Sequence, residues 1–196
     1  MFIQIIRGKV ADAAAFEAAA ERWPAELKPG AVGYLGCTWG LSPDGVGLVA
    51  ARFDSAESAN ANAARPEQGE WWQAMEPAFA EVSFQDCAEV DALLGGGSDD
   101  AGFVQVIQGQ VKDQAAAREV LRGAEEQLHQ ARPDILGGVM GWHGDGGGFT
   151  QIMYFRSESE ARAAESSGMD PEVQAAYEGM MAAEPTFTDL PDPKFD

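Results

Sequence analysis

Phe2-Ile3-Gln4-Ile5-Ile6-Arg7-Gly8-Lys9-Val10-Ala11-Asp12 occurs twice in this chain. It returns as Phe103-Val104-Gln105-Val106-Ile107-Gln108-Gly109-Gln110-Val111-Lys112-Asp113. The Phe, Gln, Gly, Val and Asp positions coincide, and so do Ile6 and Ile107. The other differences inside the strand exchange Ile for Val or one polar residue for another. A repeat with a period near half of the 196 residues means two copies of one small domain. Each half has the length of a small single-core domain.

Working outward, the repeated stretch reads as a buried strand, because apolar residues alternate and Ile and Phe favour sheets. Alternation puts Ile3 and Ile5 on one face and Phe2, Gln4 and Ile6 on the other. The first face is the drier one and is expected to meet helices. Gln4 and Gln105 are then expected on the face away from the helices. Asp12 and Asp113 follow as helix N-caps, because a carboxylate there accepts from the open backbone N–H groups. The first helix carries Phe16, Ala19 or Ala20, Trp23 and Leu27 at helical spacing. The second carries Ala117, Val120 or Leu121, Ala124 and Leu128. Pro24 interrupts the first pattern. Lys28-Pro29-Gly30 and Arg132-Pro133-Asp134 stop the two helices.

Two strands and a turn come next in each copy. They are Val32–Trp39 and Gly47–Phe53 around Ser42-Pro43-Asp44-Gly45, then Leu136–His143 and Phe149–Phe155 around Gly144-Asp145-Gly146-Gly147-Gly148. The second turn is a hairpin tip. It lacks the Gly-Lys-Ser/Thr ending of a phosphate loop and opens no helix. Ser55 and Ser157 then cap further helices. These break at Arg65-Pro66 and at Gly168-Met169-Asp170-Pro171. The last strands are Val82–Asp86 and Pro185–Asp189. The order β-α-β-β-α-β is the ferredoxin-like pattern, an antiparallel sheet with helices on one face, so the fold class is α+β. The chain divides into copy one at 1–94, a Gly/Asp-rich linker at 95–102 and copy two at 103–196. Packing the two sheets together would cover the bare face of each.

Net charge is −19, which repels phosphate backbones and anionic lipid surfaces and disfavours nucleic acid and membrane partners. No apolar run approaches a membrane span, and the first residues lack the pattern of a signal peptide, so a cytoplasmic location is expected. Cys37 and Cys87 have no counterparts in copy two and no metal-ligand spacing; packed, reduced thiols are expected. With two His and these two Cys, no metal site and no cofactor are expected.

Phe53-Asp54-Ser55-Ala56-Glu57-Ser58-Ala59 and Phe155-Arg156-Ser157-Glu158-Ser159-Glu160-Ala161, with the element order and a broken second helix bearing Trp71-Trp72 or Tyr177, carry a family likeness. Over nearly its whole length the chain resembles a tandem member of the dimeric α/β-barrel superfamily, close to the antibiotic biosynthesis monooxygenase-like group. The resemblance implies two ferredoxin-like units packed sheet to sheet as an intrachain pseudo-dimeric α/β barrel. It also implies a pocket for small, often aromatic molecules. In that group some members oxidise phenols with dioxygen and no cofactor, while others only bind. Fold likeness alone does not choose between an enzyme and a non-catalytic or stress-related binder. One chain already supplies both units, so a monomer suffices, and further homodimerisation is compatible with it.

Several residues stand out as candidates. Gln4 and Gln105 either present amides to a ligand or are satisfied by neighbouring groups. His143 is the one candidate base, against a solvated imidazole at a hairpin end. Trp142 beside it lies on the opposite face. Arg52 and Tyr154 align near the ends of the third strands and either anchor a ligand or form polar tips. Trp72 either rims a pocket or packs in the core. Copy two replaces Phe16 and Trp23 by Ala117 and Ala124 and adds His143 and Tyr154, so the roomier pocket is expected there.

Overall fold

The computed structural model describes residues 1–144, 146–168 and 171–196. Asp145 of the second hairpin tip, and Met169 and Asp170 of the second helix break, lie outside the described residues. The chain forms two compact units. Unit one is Met1–Glu89 with Asp192–Asp196, and unit two is Val90–Pro191.

Unit one runs β1 (Phe2–Val10), α1 (Ala13–Glu26), β2 (Tyr34–Leu41), β3 (Val46–Phe53), α2 (Ala56–Ala63), α3 (Pro66–Met75) and β4 (Phe79–Cys87). β5 (Glu89–Leu93) follows. Unit two runs β6 (Phe103–Gln110), α4 (Gln114–Ala131), β7 (Ile135–Trp142), β8 (Gly148–Phe155), α5 (Glu158–Ser166), α6 (Pro171–Met180) and β9 (Thr186–Leu190), and β10 (Lys194–Phe195) ends the described chain. Each unit is the ferredoxin-like βαββαβ arrangement, and the chain is its tandem duplication. The register repeats as well: Gln4 lies between Ala51 and Asp86, and Gln105 between Met153 and Asp189.

The expected α/β barrel does not form. The structure has two separate open sheets, in the orders β10-β2-β3-β1-β4 and β5-β7-β8-β6-β9. Closure requires every edge strand to find a partner at a matched stagger. Here, among the described residues, β4 pairs with β1 and β9 with β6, and each is the last strand of its sheet. Each sheet instead gains a fifth strand on its other side, at β2 or β7. Neither added strand is apparent in the sequence, because β5 has five residues and β10 has two, too few for a periodicity to register.

Local signals hold where the physics is local. Asp12 and Asp113 accept from Ala15 and Ala116 N–H at 3.0 Å each. Ser55 and Ser157 accept from Ser58 and Glu160 N–H at 3.1 and 3.2 Å. α1 runs through Pro24 to Glu26. The proline removes one N–H, but Leu27 N–H still reaches Trp23 O at 2.9 Å and the helix stays regular. On α4, Leu121 joins the core while Val120 is exposed.

The expectation for the sheet faces is reversed. Gln4 and Ile6 lie with Trp23, Trp71 and Met75 of the helices, so their face is the helix-facing one. Gln105 shares that face with Phe103, which packs against Ala161 of α5. Ile3, Ile5, Val104 and Val106 occupy the opposite face and are each at most 2% exposed. Both faces are buried, so dryness could not tell them apart. No described helix is long and apolar enough to cross a membrane.

Candidate functional site

A cavity of about 60 Å³ opens between the sheet and helices of unit one. Its floor comes from β1, β2 and β3: Gln4, Ile6, Cys37, Trp39, Val49, Ala51 and Phe53. Its roof is Ala20 and Trp23 of α1, Asn62 of α2, and Gln68, Trp71 and Met75 of α3. Tyr34 and Asp196 close one end. The wall is therefore largely apolar, with five aromatic rings and a few polar groups spaced around it. That is the usual make-up of small-molecule pockets.

Local structure explains how each polar group arrives. A β-bulge shifts the β2 register between Tyr34 and Gly36, with Leu35 as the extra residue. One extra residue turns a side chain to the other face, and this one brings Tyr34 onto the same face as Cys37. Gly36 sits at φ +130°, and a side chain there would run into Arg52 and the Asp196 carbonyl. Asp196 is set opposite Cys37 by a pair of backbone hydrogen bonds of 3.3 Å, continuing the β10–β2 pairing of Lys194 with Trp39 and Phe195 with Thr38. The Tyr34 hydroxyl donates to the Asp196 carboxylate.

Burial pushes the Tyr34 hydroxyl far above the ordinary tyrosine range, helped by Cys37 and by the Asp196 carboxylate it donates to. Burial likewise pushes the Cys37 thiol up, with the negative charge of Asp196 adding to it. Both therefore stay protonated at neutral pH. Gln4 donates its amide N–H to Asp86 at 3.1 Å, which leaves its carbonyl oxygen as an acceptor. At the other end Gln68 Oε1 accepts from Trp23 Nε1 at 2.9 Å and from Asn62 Nδ2 at 3.4 Å. Arg65 holds Asn62 Oδ1 at 3.0 Å and Leu27 O at 2.9 Å, tying the α2–α3 break to the end of α1. Trp71 is anchored by its indole N–H on Ala19 O at 2.8 Å.

Unit two fills the space between its sheet and helices that corresponds to this cavity, and its own cleft, of about 90 Å³, lies elsewhere, between β5 and α4, lined by Asp91, Leu93, Arg118, Leu121 and Glu125. Met153 stands at the register position of Ala51, Ile135 at that of Tyr34 and Gly138 at that of Cys37. Leu93 of β5 comes up against Gly138 and Met153. The room left by Ala117 is taken from the sheet side by Phe149, which replaces Gly47. Gln105 does meet a polar partner: it donates to Asp189 at 3.0 Å, and Arg162 pairs with the same carboxylate while lying 5.1 Å over the Phe103 ring.

Of the candidate ligand-contacting residues Gln4, Gln105, His143, Trp142, Arg52, Tyr154 and Trp72, Gln4 lines the unit-one cavity. Trp72 lies next to that wall and packs on Phe84 and Phe79, at ring distances of 5.0 and 6.3 Å. Arg52 sits half-buried on the opposite face of β3, beside Gly36. In unit two Tyr154 is 1% exposed, on the face away from the helices. Trp142 is buried in the core and donates to Asp91 at 2.7 Å; by register it matches Leu41, while Trp39 matches Met140. His143 is half-buried and hydrogen-bonded to Thr150 at 3.0 Å, apart from the unit-one cavity. Sequence reasoning passed over Tyr34, Asn62, Gln68 and Asp196. The available signal was a polar residue in copy one where copy two has an apolar one, as at Tyr34 and Ile135. Among the described residues, no group of three or more His, Cys, Asp or Glu is placed to hold a metal ion.

No protein-family model and no curated protein matches the chain. Solved structures do. A "putative monooxygenase" from Fusobacterium nucleatum subsp. nucleatum ATCC 25586 superposes with a TM-score of 0.80 at 10% identity, over 100% of this chain and 93% of that one. A "putative monooxygenase" from Lactobacillus acidophilus NCFM gives 0.73 at 15% identity, over 96% and 92%. An "anthrone oxidase-like protein" gives 0.71 at 12% identity, over 100% and 92%. At such identities the likeness is one of fold alone, that of two ferredoxin-like units in tandem.

Proposed function

We propose that unit one binds a small, neutral, hydroxylated aromatic molecule in its cavity and oxidises it with dioxygen without a cofactor. The observation that carries this reading is the wall itself. Trp23, Tyr34, Trp39, Phe53 and Trp71 surround a few separated hydrogen-bonding groups, Gln4, Gln68 and the Tyr34–Asp196 pair. Aromatic walls suit a flat ring, and spaced polar groups orient it. The cavity holds only a few water-sized volumes, since a water needs about 10–15 Å³ on this measure. A ring therefore enters by displacing the outer wall, where Trp23 is only half-buried.

The names of the similar structures, two with "putative monooxygenase" and one with "anthrone oxidase-like protein", support oxidation by analogy of fold. The matching chemistry converts a methylene flanked by hydroxylated rings to a ketone. Dioxygen takes four electrons, one oxygen enters the ketone, and the other leaves as water with the two methylene hydrogens. The protein contributes binding, orientation and exclusion of water.

One observation favours a second reading, binding without turnover. Tyr34 and Cys37 are both held in their protonated forms, so neither serves as a base at neutral pH. Calorimetry and an oxygen electrode separate the two with 1,8-dihydroxyanthrone as probe. Saturable binding with one dioxygen consumed per probe above the buffer rate supports the oxygenase. Binding without added uptake supports the carrier or sensor, and no binding rejects both.

A further inference from the structure

We infer that Asp196, brought to the cavity by β10, is the specificity-determining residue of the unit-one site. With Tyr34 it forms an end that accepts hydrogen bonds, takes a ligand hydroxyl, and rejects an ether or a carboxylate at the same place. The inference rests on the reading of the cavity as a ligand site.

A count of donors and acceptors supports it. Tyr34 has one hydroxyl hydrogen, and it goes to Asp196. What faces a ligand is then the phenolic oxygen of Tyr34 and a carboxylate, and a carboxylate only accepts. The Cys37 thiol lines the same cavity and is a weak donor in any case. A hydroxyl supplies the missing hydrogen. An ether leaves acceptors facing acceptors, and an anionic ligand brings a second negative charge against the first. The charge of the whole chain, −19, works in the same direction.

The comparison inside the molecule points to a feature of unit one alone. In unit two the added strand presents Leu93 to this region of the helix face, and Ile135 and Met153 complete an apolar plug. The same addition of a fifth strand is thus used twice, once with a leucine to close a core and once with an aspartate beside a tyrosine to finish a cavity. The delivery is also local and specific. β10 makes only two register pairs with β2, and the bulge at Tyr34–Gly36 is what turns the tyrosine toward Asp196.

The test uses the full chain with phenol, anisole and benzoate as probes, read by NMR of the indole N–H signals of Trp23 and Trp71. Wild type is expected to bind phenol about tenfold or more tighter than anisole, the worth of a hydrogen bond to a charged group, and benzoate more weakly still. Asp196→Asn keeps the size and the strand pairing but offers the ligand an N–H. It should lose about tenfold for phenol and bring the phenol-to-anisole ratio close to one. Tyr34→Phe leaves the carboxylate open to the ligand and should keep a preference for phenol. An unchanged ratio in Asp196→Asn, or a ratio lost only in Tyr34→Phe, overturns the assignment to Asp196 while leaving the cavity as a site. Failure of wild type to bind any of the three overturns the assignment together with the reading of the cavity.

Discussion

At one end of the helix layer, Phe16 on α1 lies over Gly47 in unit one, edge-on to Trp39 and Phe79 at ring distances of 6.0 and 5.5 Å. In unit two the large and small residues have traded places: Phe149 stands on the strand and Ala117 on the helix. A Cβ on Gly47 would come within 2.6 Å of Val10 and crowd the Phe16 ring at 3.1 Å, and one on Gly109 would crowd the Phe149 ring at 3.0 Å. Volume is conserved here across the duplication, as close-packed interiors require. At the other end it is not. Tyr34, Ala51 and Asp196 line a cavity, whereas Ile135, Met153 and Leu93 join the buried core of unit two. Packing could be satisfied from either layer, so a large-to-small change on a helix does not by itself open a pocket.

The comparison can be broken most forcefully at the conserved end. Phe16→Ala should cost unit one about 3–5 kcal/mol, read as a lower urea midpoint. Adding Gly47→Phe rebuilds the unit-two arrangement and should restore part of that loss, a coupling that a double-mutant cycle measures. No recovery would mean that the two packings are not interchangeable. The cavity end is sharpened by a reciprocal pair. Met153→Ala should cost about 2–5 kcal/mol and open space in unit two. Ala51→Met should fill the unit-one cavity and weaken binding of a phenolic probe at least tenfold, about 1.4 kcal/mol. Undiminished binding by Ala51→Met would place the ligand elsewhere.

Smaller effects should be equal in the two units, because the local physics is the same. Asp12→Ala and Asp113→Ala each remove an N-cap and should cost about 1 kcal/mol by thermal or urea unfolding. A large difference between them would show that the two helices depend unequally on their caps. The smallest effect belongs to unit two. Asp91 is partly buried, which alone would raise its pKa. Hydrogen bonds from Arg118 and Trp142, and the Arg118 charge, outweigh that and hold it below the usual carboxylate range. A folded-state pKa that is depressed contributes stability above the unfolded pKa, about 3.9, and loses it as pH falls through the folded value. Asp91→Asn should therefore flatten the acid limb of the stability curve and change neutral-pH stability by about 1 kcal/mol or less. A steeper acid limb in that variant would contradict the assignment.

Much of the architecture is legible in the amino-acid sequence. The Phe-x-Gln-x-Ile-x-Gly repeat, the aspartate and serine caps and the Pro-marked helix breaks each depend on interactions a few residues apart. Apolarity does not distinguish the faces of β1 and β6, because Ile3-Ile5 and Val104-Val106 are buried no less than the helix-facing side. The site was harder still. Gln4 was found because it is repeated, whereas Tyr34, Asn62, Gln68 and Asp196 converge from β2, α2, α3 and β10, far apart in the chain. Trp142 and His143 drew notice by chemical type, yet one is a core residue held by Asp91 and the other is bonded to Thr150.

The amino-acid sequence by itself determined the duplication, the β-α-β-β-α-β order of each copy and the positions where helices begin, since these follow from periodicity and from capping over short spans. Only the tertiary structure decided that the sheets stay open, that each gains a fifth strand from a few residues of unremarkable sequence, and that the cavity with aromatic walls lies in unit one. Edge pairing and empty volume are sums over residues distant in the chain. A Met for an Ala on one strand, or an Asp for a Leu on an added one, settles them without leaving a local pattern to read.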